Sequence, residues 1–145
     1  MDQLLLMNQI CFPLYALSRQ MTAHYRPLLE KMGVTYPQYL ILLLLWETDK
    51  LTVGAIGERL LLDSGTLTPL LKRMEQKGLI DRKRNAADER QVTIQLTDNG
   101  QALREQASEV PAQLMANLHL DEKQAVDLRN QLTTLLNQLT IKNEI

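Results

Sequence analysis

The stretch TVGAIGERLLLDSGTLTPLLKRMEQKGLIDRKR, residues 52–84, decides the fold of this chain. Thr52 is suited to cap a short helix, because a threonine hydroxyl accepts from the free N–H groups of a first turn. After a polar turn, leucines recur at helical spacing, and either Asp63 or Ser64 could cap this second helix. Gly78 is typical of a helix end. The stretch therefore predicts two helices joined by a tight turn.

Two β-strands are predicted directly after this pair of helices. LIDRKR (79–84) and QVTIQLT (91–97) are short runs of strand-forming residues. The polar loop NAADER (85–90) separates them, which is typical of a hairpin. A helix pair followed by a hairpin is the order of a winged helix-turn-helix, whose second helix and wing face the grooves of DNA.

The helices outside this region predict a dimer. Thr35 can cap a helix whose body, QYLILLLLWE (38–47), is apolar nearly all round and should be buried. The N-terminal stripe comprises Cys11, Leu14, Leu17, Met21, Tyr25 and Leu28. Pro27 is expected to kink or interrupt that helix. A long helix from Thr97 and a last amphipathic helix should complete the chain. These end helices have little local core, so packing on a second copy is the simplest way to bury them.

We therefore predict a mainly α fold with a small β-hairpin. Residues 1–34 and 99–145 would form a helical dimerisation region, and residues 35–98 the winged helix-turn-helix that binds DNA. Together they would make one intertwined domain.

Local charge supports a nucleic-acid partner, although the net charge is only −1. The segment 72–90 holds seven basic and four acidic residues, whereas the rest holds nine and thirteen. The excess lies on the second helix and the hairpin. The side chains expected to reach DNA are Thr66, Thr68, Lys72, Arg73, Arg84, Asp88 and Arg90. The alternative is an ordinary solvated charged hairpin.

The sequence disfavours membrane, secreted, metal-binding and disulfide-stabilised proteins. The longest apolar run, residues 40–46, is far below the ~20 residues of a membrane helix. The N-terminus lacks a signal-peptide pattern, so we expect a cytoplasmic protein. His24 and His119 are isolated and the chain has one cysteine. We therefore expect no metal, no cofactor and no disulfide framework.

Cys11, that single cysteine, admits two interpretations. Pro13 is tolerated only in a first helical turn, which places Cys11 at the start of a helix. A helix N-terminus stabilises a thiolate, whereas half-burial on the apolar stripe opposes it. Tyr25 could assist, but fourteen residues of helix put it ~21 Å away, so only a second chain could bring it back. The alternative is a buried apolar filler.

Five blocks of the sequence resemble the organic hydroperoxide resistance regulators (OhrR), a branch of the MarR-type winged-helix repressors. They are NQICF (8–12), LYALSRQMT (14–22), YRPLLEKMGVTYPQYL (25–40), LDSGTLTPLLKRMEQKGLI (62–80) and DER (88–90). The similarity covers nearly the whole chain and is weakest after about Leu103. One departure is Pro13, where the family more often has Leu or Ala.

The resemblance implies a homodimeric repressor whose reduced form binds an inverted-repeat operator in double-stranded DNA. Cys11 would be the redox sensor, supported by Tyr25 and Tyr36 of the other subunit. The implied operator contacts are Ser64, Thr66, Thr68, Arg73, Asp88 and Arg90. An organic hydroperoxide would oxidise Cys11. With one cysteine, a mixed disulfide with a low-molecular-weight thiol, or overoxidation, would follow.

Other interpretations remain open at this point. A MarR-type regulator could respond to a small phenolic ligand, and Cys11 would then be incidental. A related single-cysteine virulence regulator is a further alternative. A one-cysteine peroxidase would need an α/β sheet that one hairpin does not provide, so we expect no enzyme. A purely structural helical dimer would leave the basic hairpin unexplained.

Overall fold

The computed structural model describes residues 2–84 and 91–141, which contain the predicted helix pair and the two strands of the predicted hairpin. The helices are α1 (Cys11–Glu30), α2 (Tyr36–Glu47), α3 (Val53–Leu60), α4 (Ser64–Gln76), α5 (Asp98–Ala107), α6 (Val110–Leu118) and α7 (Glu122–Ile141). The strands are β1 (Leu51–Thr52), β2 (Ile80–Arg84) and β3 (Val92–Leu96). The mainly α fold with a small sheet is confirmed. After Val110 the chain divides into two compact units.

Helix α2 is the centre of the first unit, as its apolar composition predicts. Ile41 and Leu42 are fully buried and Leu45 is 1% exposed. Its N-terminus is held by Gln38, whose side-chain oxygen accepts from the backbone N–H of Thr35 at 3.1 Å. Gln38 is itself buried, so this interaction is shielded from water. The capping expected around Thr35 thus fixes where α2 begins.

The caps of the helix pair follow the sequence. The Thr52 hydroxyl accepts from the N–H of Ala55 at 3.1 Å, which confirms the predicted start of α3. Asp63, rather than Ser64, caps α4, since its carboxylate accepts from the N–H of Thr66 at 2.8 Å. The two helices therefore begin at defined residues on either side of the turn.

The turn between α3 and α4 is tight, and Leu61 and Leu62 show why. Leu61 ends α3 in the left-handed conformation, with φ 54°. The Leu62 N–H donates to the Gly57 carbonyl at 2.9 Å. A Cβ on Gly57 would lie only 2.7 Å from the Leu62 carbonyl oxygen. The close approach of the two backbones thus requires glycine at position 57.

The sheet contains one strand that the sequence did not predict. The hairpin strands pair antiparallel from Ile80↔Leu96 to Arg84↔Val92, as expected. Strand β1 joins the other edge of β3, giving the order β1-β3-β2. Two residues are too short for an alternating pattern, which is why β1 escaped prediction.

The sequence predicts a kink or an interruption at Pro27, and the interruption is wrong; the single long helix expected after Thr97 is wrong as well. Pro27 does not interrupt α1, which runs on to Glu30. Because Pro27 lies in the last turn, its missing N–H removes only one late hydrogen bond. Conversely, the predicted long helix after Thr97 stops at Ala107 and restarts at Val110. Pro111 explains the break, since proline suits a first helical turn and cannot donate within a continuing helix.

Helix α7, in the second unit, presents an exposed leucine stripe. Leu132, Leu136 and Leu139 are 38%, 48% and 57% exposed. Their spacing of three and four residues places them on one face of the helix. Within the described parts of the chain, no helix is long and apolar enough to span a membrane.

Candidate functional site

Cys11 is the first residue of α1, as the position of Pro13 predicts. The expectation that it is half-buried is wrong for the isolated chain, where the cysteine is exposed. The reason is that the first half of α1 is poorly covered by its own chain, with Leu14 38% and Leu17 41% exposed. The thiol therefore stands at the edge of an open apolar face.

That apolar face extends from the N-terminal segment onto α1. Its exposed members are Leu4, Leu5, Leu6, Met7, Ile10, Phe12, Leu14, Tyr15 and Leu17. An accumulation of exposed large apolar side chains in one part of a protein is typical of an interaction site. The predicted need for a second chain along this helix thus has a defined surface.

The structure brings Tyr25 and Tyr36 together. Their ring centroids are 4.6 Å apart, although one lies late on α1 and the other begins α2. Tyr39, which the sequence did not single out, lies 6.0 Å from Tyr25. Its position one helical turn after Tyr36 was the available signal.

The three phenols are held in their neutral form. Burial first, and then the neighbouring Tyr36 and Tyr39, together raise the pKa of Tyr25 to about 12. Burial also raises the pKa of Tyr36 and of Tyr39. A neutral phenol keeps its O–H, so at neutral pH these groups are available to donate hydrogen bonds to an anion.

Within one chain, the thiol and the tyrosine pair are far apart. Helix α1 runs unbroken from Cys11 past Tyr25, so fourteen residues of helix separate them by about 21 Å. Tyr36 lies beside Tyr25 and is equally remote from the thiol. A second chain whose α1 ran in the opposite direction could place its Cys11 beside these phenols.

A groove of about 700 Å³ lies along α1 toward the start of α2. It is lined by Phe12, Tyr15, Arg19, Arg26 and Tyr36, among others. The Arg19 guanidinium lies 5.5 Å from the centre of the Tyr15 ring. The groove is thus continuous with the exposed apolar face and includes one of the two tyrosines.

Helix α4 presents a polar surface opposite its buried side. Ser64, Thr66, Thr68, Lys72 and Arg73 are all exposed. The inward residues Leu67, Leu70, Leu71 and Met74 are buried, as predicted. The exposed positions can therefore meet a ligand without disturbing the core.

Two of the polar groups near α4 are already engaged. The Thr66 hydroxyl donates to Asp63 at 3.1 Å, and the hydrogen bonds from Thr66 lower the pKa of Asp63. Arg82 lies 3.7 Å from Glu75, so it links β2 to α4. Arg82 therefore contributes to holding the hairpin, a role that its basic charge alone did not indicate.

The predicted contacts on the hairpin are only partly described. Arg84 ends β2 and is exposed. Asp88 and Arg90 lie outside the described residues. Among the described residues, no group of three or more His, Cys, Asp or Glu could hold a metal ion.

Comparison with known proteins decides the family. The model of the SarA/Rot transcriptional regulators matches residues 23–107. The organic hydroperoxide resistance transcriptional regulator of Bacillus subtilis is 54% identical over 142 residues, which cover 98% of this chain and 97% of that relative. The chain belongs to the OhrR branch of the MarR family. It is a winged-helix transcriptional regulator.

Solved structures agree with this assignment. The regulator is similar to AbfR, a protein of Staphylococcus epidermidis. Reduced AbfR bound to DNA is 40% identical, with a TM-score of 0.78 over 96% of this chain and 97% of that chain. Disulfide-formed AbfR is 39% identical, with a TM-score of 0.65 over 99% and 96%. The likeness to AbfR therefore supports the winged-helix fold and the family assignment.

Proposed function

We propose that the regulator is a homodimeric, redox-sensing repressor in which Cys11 of one subunit is supported by Tyr25 and Tyr36 of the other. One observation carries the proposal. The thiol and the tyrosine pair lie at opposite ends of an α1 segment about 21 Å long, beside an exposed apolar face. A two-fold copy that covers this face brings each thiol to a tyrosine pair.

The domain organisation follows from the same arrangement. Residues 1–34 and 99–145 are proposed to form the dimerisation region, and residues 35–98 the DNA-binding region. The exposed leucines of α7 and the apolar face of α1 are the surfaces that a second subunit would cover. Dimerisation would also place two copies of α4 on one duplex, as an inverted-repeat operator requires.

Oxidation of Cys11 is proposed to proceed in two steps. The Cys11 thiolate attacks the terminal oxygen of an organic hydroperoxide and the O–O bond breaks, which leaves a cysteine sulfenic acid and an alkoxide. The alkoxide takes up a proton from water and leaves as the alcohol. A low-molecular-weight thiol then displaces water to form a mixed disulfide with Cys11. The neutral Tyr25 and Tyr36 phenols stabilise the thiolate by hydrogen bonding before the first step. Overoxidation to sulfinic or sulfonic acid is the competing path.

DNA binding uses the exposed side of α4 and the hairpin. The proposed contacts are Ser64, Thr66, Thr68, Lys72, Arg73, Arg84, Asp88 and Arg90. The hydroxyl and basic groups of α4 suit phosphates and base edges in a major groove. Because operator DNA is the partner, the regulator acts in the cytoplasm. Its thiol is consumed once per oxidation event, so it is a sensor and not an enzyme.

The test compares the parent protein with Cys11→Ser. Both are bound to a fluorescent inverted-repeat duplex, selected from random duplexes by the reduced protein, and anisotropy is followed at fixed salt. Cumene hydroperoxide and a small thiol are added stoichiometrically. We expect the parent to dissociate and Cys11→Ser to stay bound, because serine keeps the side-chain size without the nucleophile.

Two results would contradict the proposal. If Cys11→Ser leaves the duplex like the parent, oxidation acts elsewhere and Cys11 is not the sensor. If neither protein prefers the inverted repeat over random DNA at matched salt, the repressor function is wrong. Release of both proteins by a phenolic acid alone would instead favour the alternative of a small phenolic ligand.

A further inference from the structure

Lys77, the residue that ends α4, reaches the connection between α1 and α2. Its ammonium donates to the Gly33 carbonyl at 2.6 Å and to the Gln38 side-chain oxygen at 3.2 Å. Gly33 and Gln38 are 44 and 39 residues from Lys77 in the sequence. These are charge-assisted contacts, which are stronger than those between neutral groups.

Lys77, Gly33, Gln38 and Thr35 form a hydrogen-bonded cluster, in which Gln38 is the central acceptor. Among the described residues it is the one polar side chain that is buried, with 2% of its surface exposed. Its side-chain oxygen accepts from Lys77 and also from the Thr35 N–H, so both lone pairs of that oxygen are used. Removing the ammonium would therefore leave a buried acceptor only partly satisfied.

The cluster connects two regions with different proposed roles, the α1–α2 connection and the C-terminal end of α4. Gly33, in the left-handed conformation with φ +66°, lies in the connection that follows α1, the helix that carries Cys11 and Tyr25. Thr35 precedes Tyr36, the first residue of α2. Lys77 is the C-cap of α4, the helix whose exposed side is proposed to contact DNA. The contacts therefore join the α1–α2 corner, next to the tyrosine pair, to the end of the recognition helix.

We propose that Lys77 is a positioning residue that couples the tyrosine pair to the recognition helix, through the Gly33 carbonyl and Gln38. It rests on the proposed function, because it explains how a change at the thiol reaches DNA. When oxidation displaces Tyr36 of the opposing subunit, the α1–α2 corner shifts, and Lys77 transmits the shift to α4. Lys77 itself does not contact DNA or the thiol.

The test measures the ratio of the Kd for operator DNA in the oxidised protein to that in the reduced protein. Three variants are compared with the parent: Lys77→Met, Lys77→Arg and Lys31→Met. Methionine keeps most of the stem and removes the ammonium, and arginine keeps a cationic donor. Lys31→Met is the charge-matched control, because its exposed side chain makes no hydrogen bond with the described residues.

In Lys77→Met we expect the oxidised-to-reduced ratio to fall by about 2- to 30-fold, the range for substitutions that modulate coupling. Lys77→Arg should restore most of the ratio and Lys31→Met should keep it. The salt dependence of the reduced protein should stay as in Lys31→Met. Circular dichroism melting confirms that each variant is folded.

Three outcomes separate the possibilities. A parent-like ratio in folded Lys77→Met overturns the coupling while leaving the sensor function intact. A loss of about one unit of salt slope in reduced Lys77→Met shows a phosphate contact and also overturns it. If the parent itself is not released by oxidant, the proposed function fails, and the coupling fails with it.

Discussion

The close approach between Gly57 and the Leu62 carbonyl gives a prediction whose size can be worked out. A Cβ at Gly57 would lie 2.7 Å from that oxygen, about 0.7 Å short of ordinary contact at 3.4 Å. The oxygen belongs to the backbone, so relief requires the turn itself to move. Gly54, on the same helix, provides the matched control, because the nearest atom to its added Cβ is 4.0 Å away.

Both alanine substitutions gain from the better helix propensity of alanine, by about 0.5–1 kcal/mol. Gly57→Ala must also absorb the overlap, which costs about 1–3 kcal/mol by analogy with overpacked sites. We therefore expect Gly57→Ala to have an unfolding free energy about 1–3 kcal/mol below that of Gly54→Ala. Because Leu62 precedes the Asp63 cap of α4, Gly57→Ala should also bind DNA more weakly.

The assay is urea unfolding followed by circular dichroism, with all proteins at one concentration because dimerisation contributes to stability. Operator affinity is measured on the same samples. If the two variants agree within about 0.5 kcal/mol, the turn relaxes freely and glycine is not required at position 57. A stable Gly57→Ala with normal affinity would likewise refute the link between this turn and α4.

Three further predictions concern single side chains. The pKa of Tyr25 is raised from 10.0 to about 12 in the folded protein, so the native state binds more protons between those values. The unfolding free energy should therefore fall as pH rises from 10 to 12, and urea titrations should show a smaller fall in Tyr25→Phe; equal falls would contradict this. Arg73→Met should reduce the slope of log Kd against log salt by about 1, and an unchanged slope, as expected for Lys31→Met, would exclude a phosphate contact. Leu61 is 55% exposed and has φ 54°. Replacing it with glycine should raise the unfolding free energy of the protein by about 0.5–1 kcal/mol. If thermal melting shows no gain, the left-handed turn is unstrained.

Much of the fold follows from local chemistry. Thr52, Thr35 and the buried side of α4 lie where capping and periodicity place them, because these features depend on a few consecutive residues. The choice between Asp63 and Ser64 needed the structure, since both side chains can cap and geometry selects one. Strand β1 depends on a partner more than forty residues away, which no local pattern records.

The candidate site divides in the same way. Cys11 and Tyr25 share a helix stripe that spacing detects, so a second chain could be inferred. The pairing of Tyr25 with Tyr36 depends on how α2 folds back on α1, and only the family resemblance indicated it. Lys77 appeared in the sequence as one more basic residue, since its partners Gly33 and Gln38 are distant along the chain.

Strand β1, which the sequence did not predict, bears on how the regulator releases DNA. Strand β1 lies between α2 and α3, and it pairs with the wing strand β3. The Asp49 carboxylate adds a further tie, accepting from the N–H of Leu96 at 3.3 Å. These contacts tie strand β3 to the helix-turn-helix, so we expect the two to move together. We therefore expect the DNA contacts of the hairpin and those of α4 to be lost together. Repression should then end in one step rather than gradually.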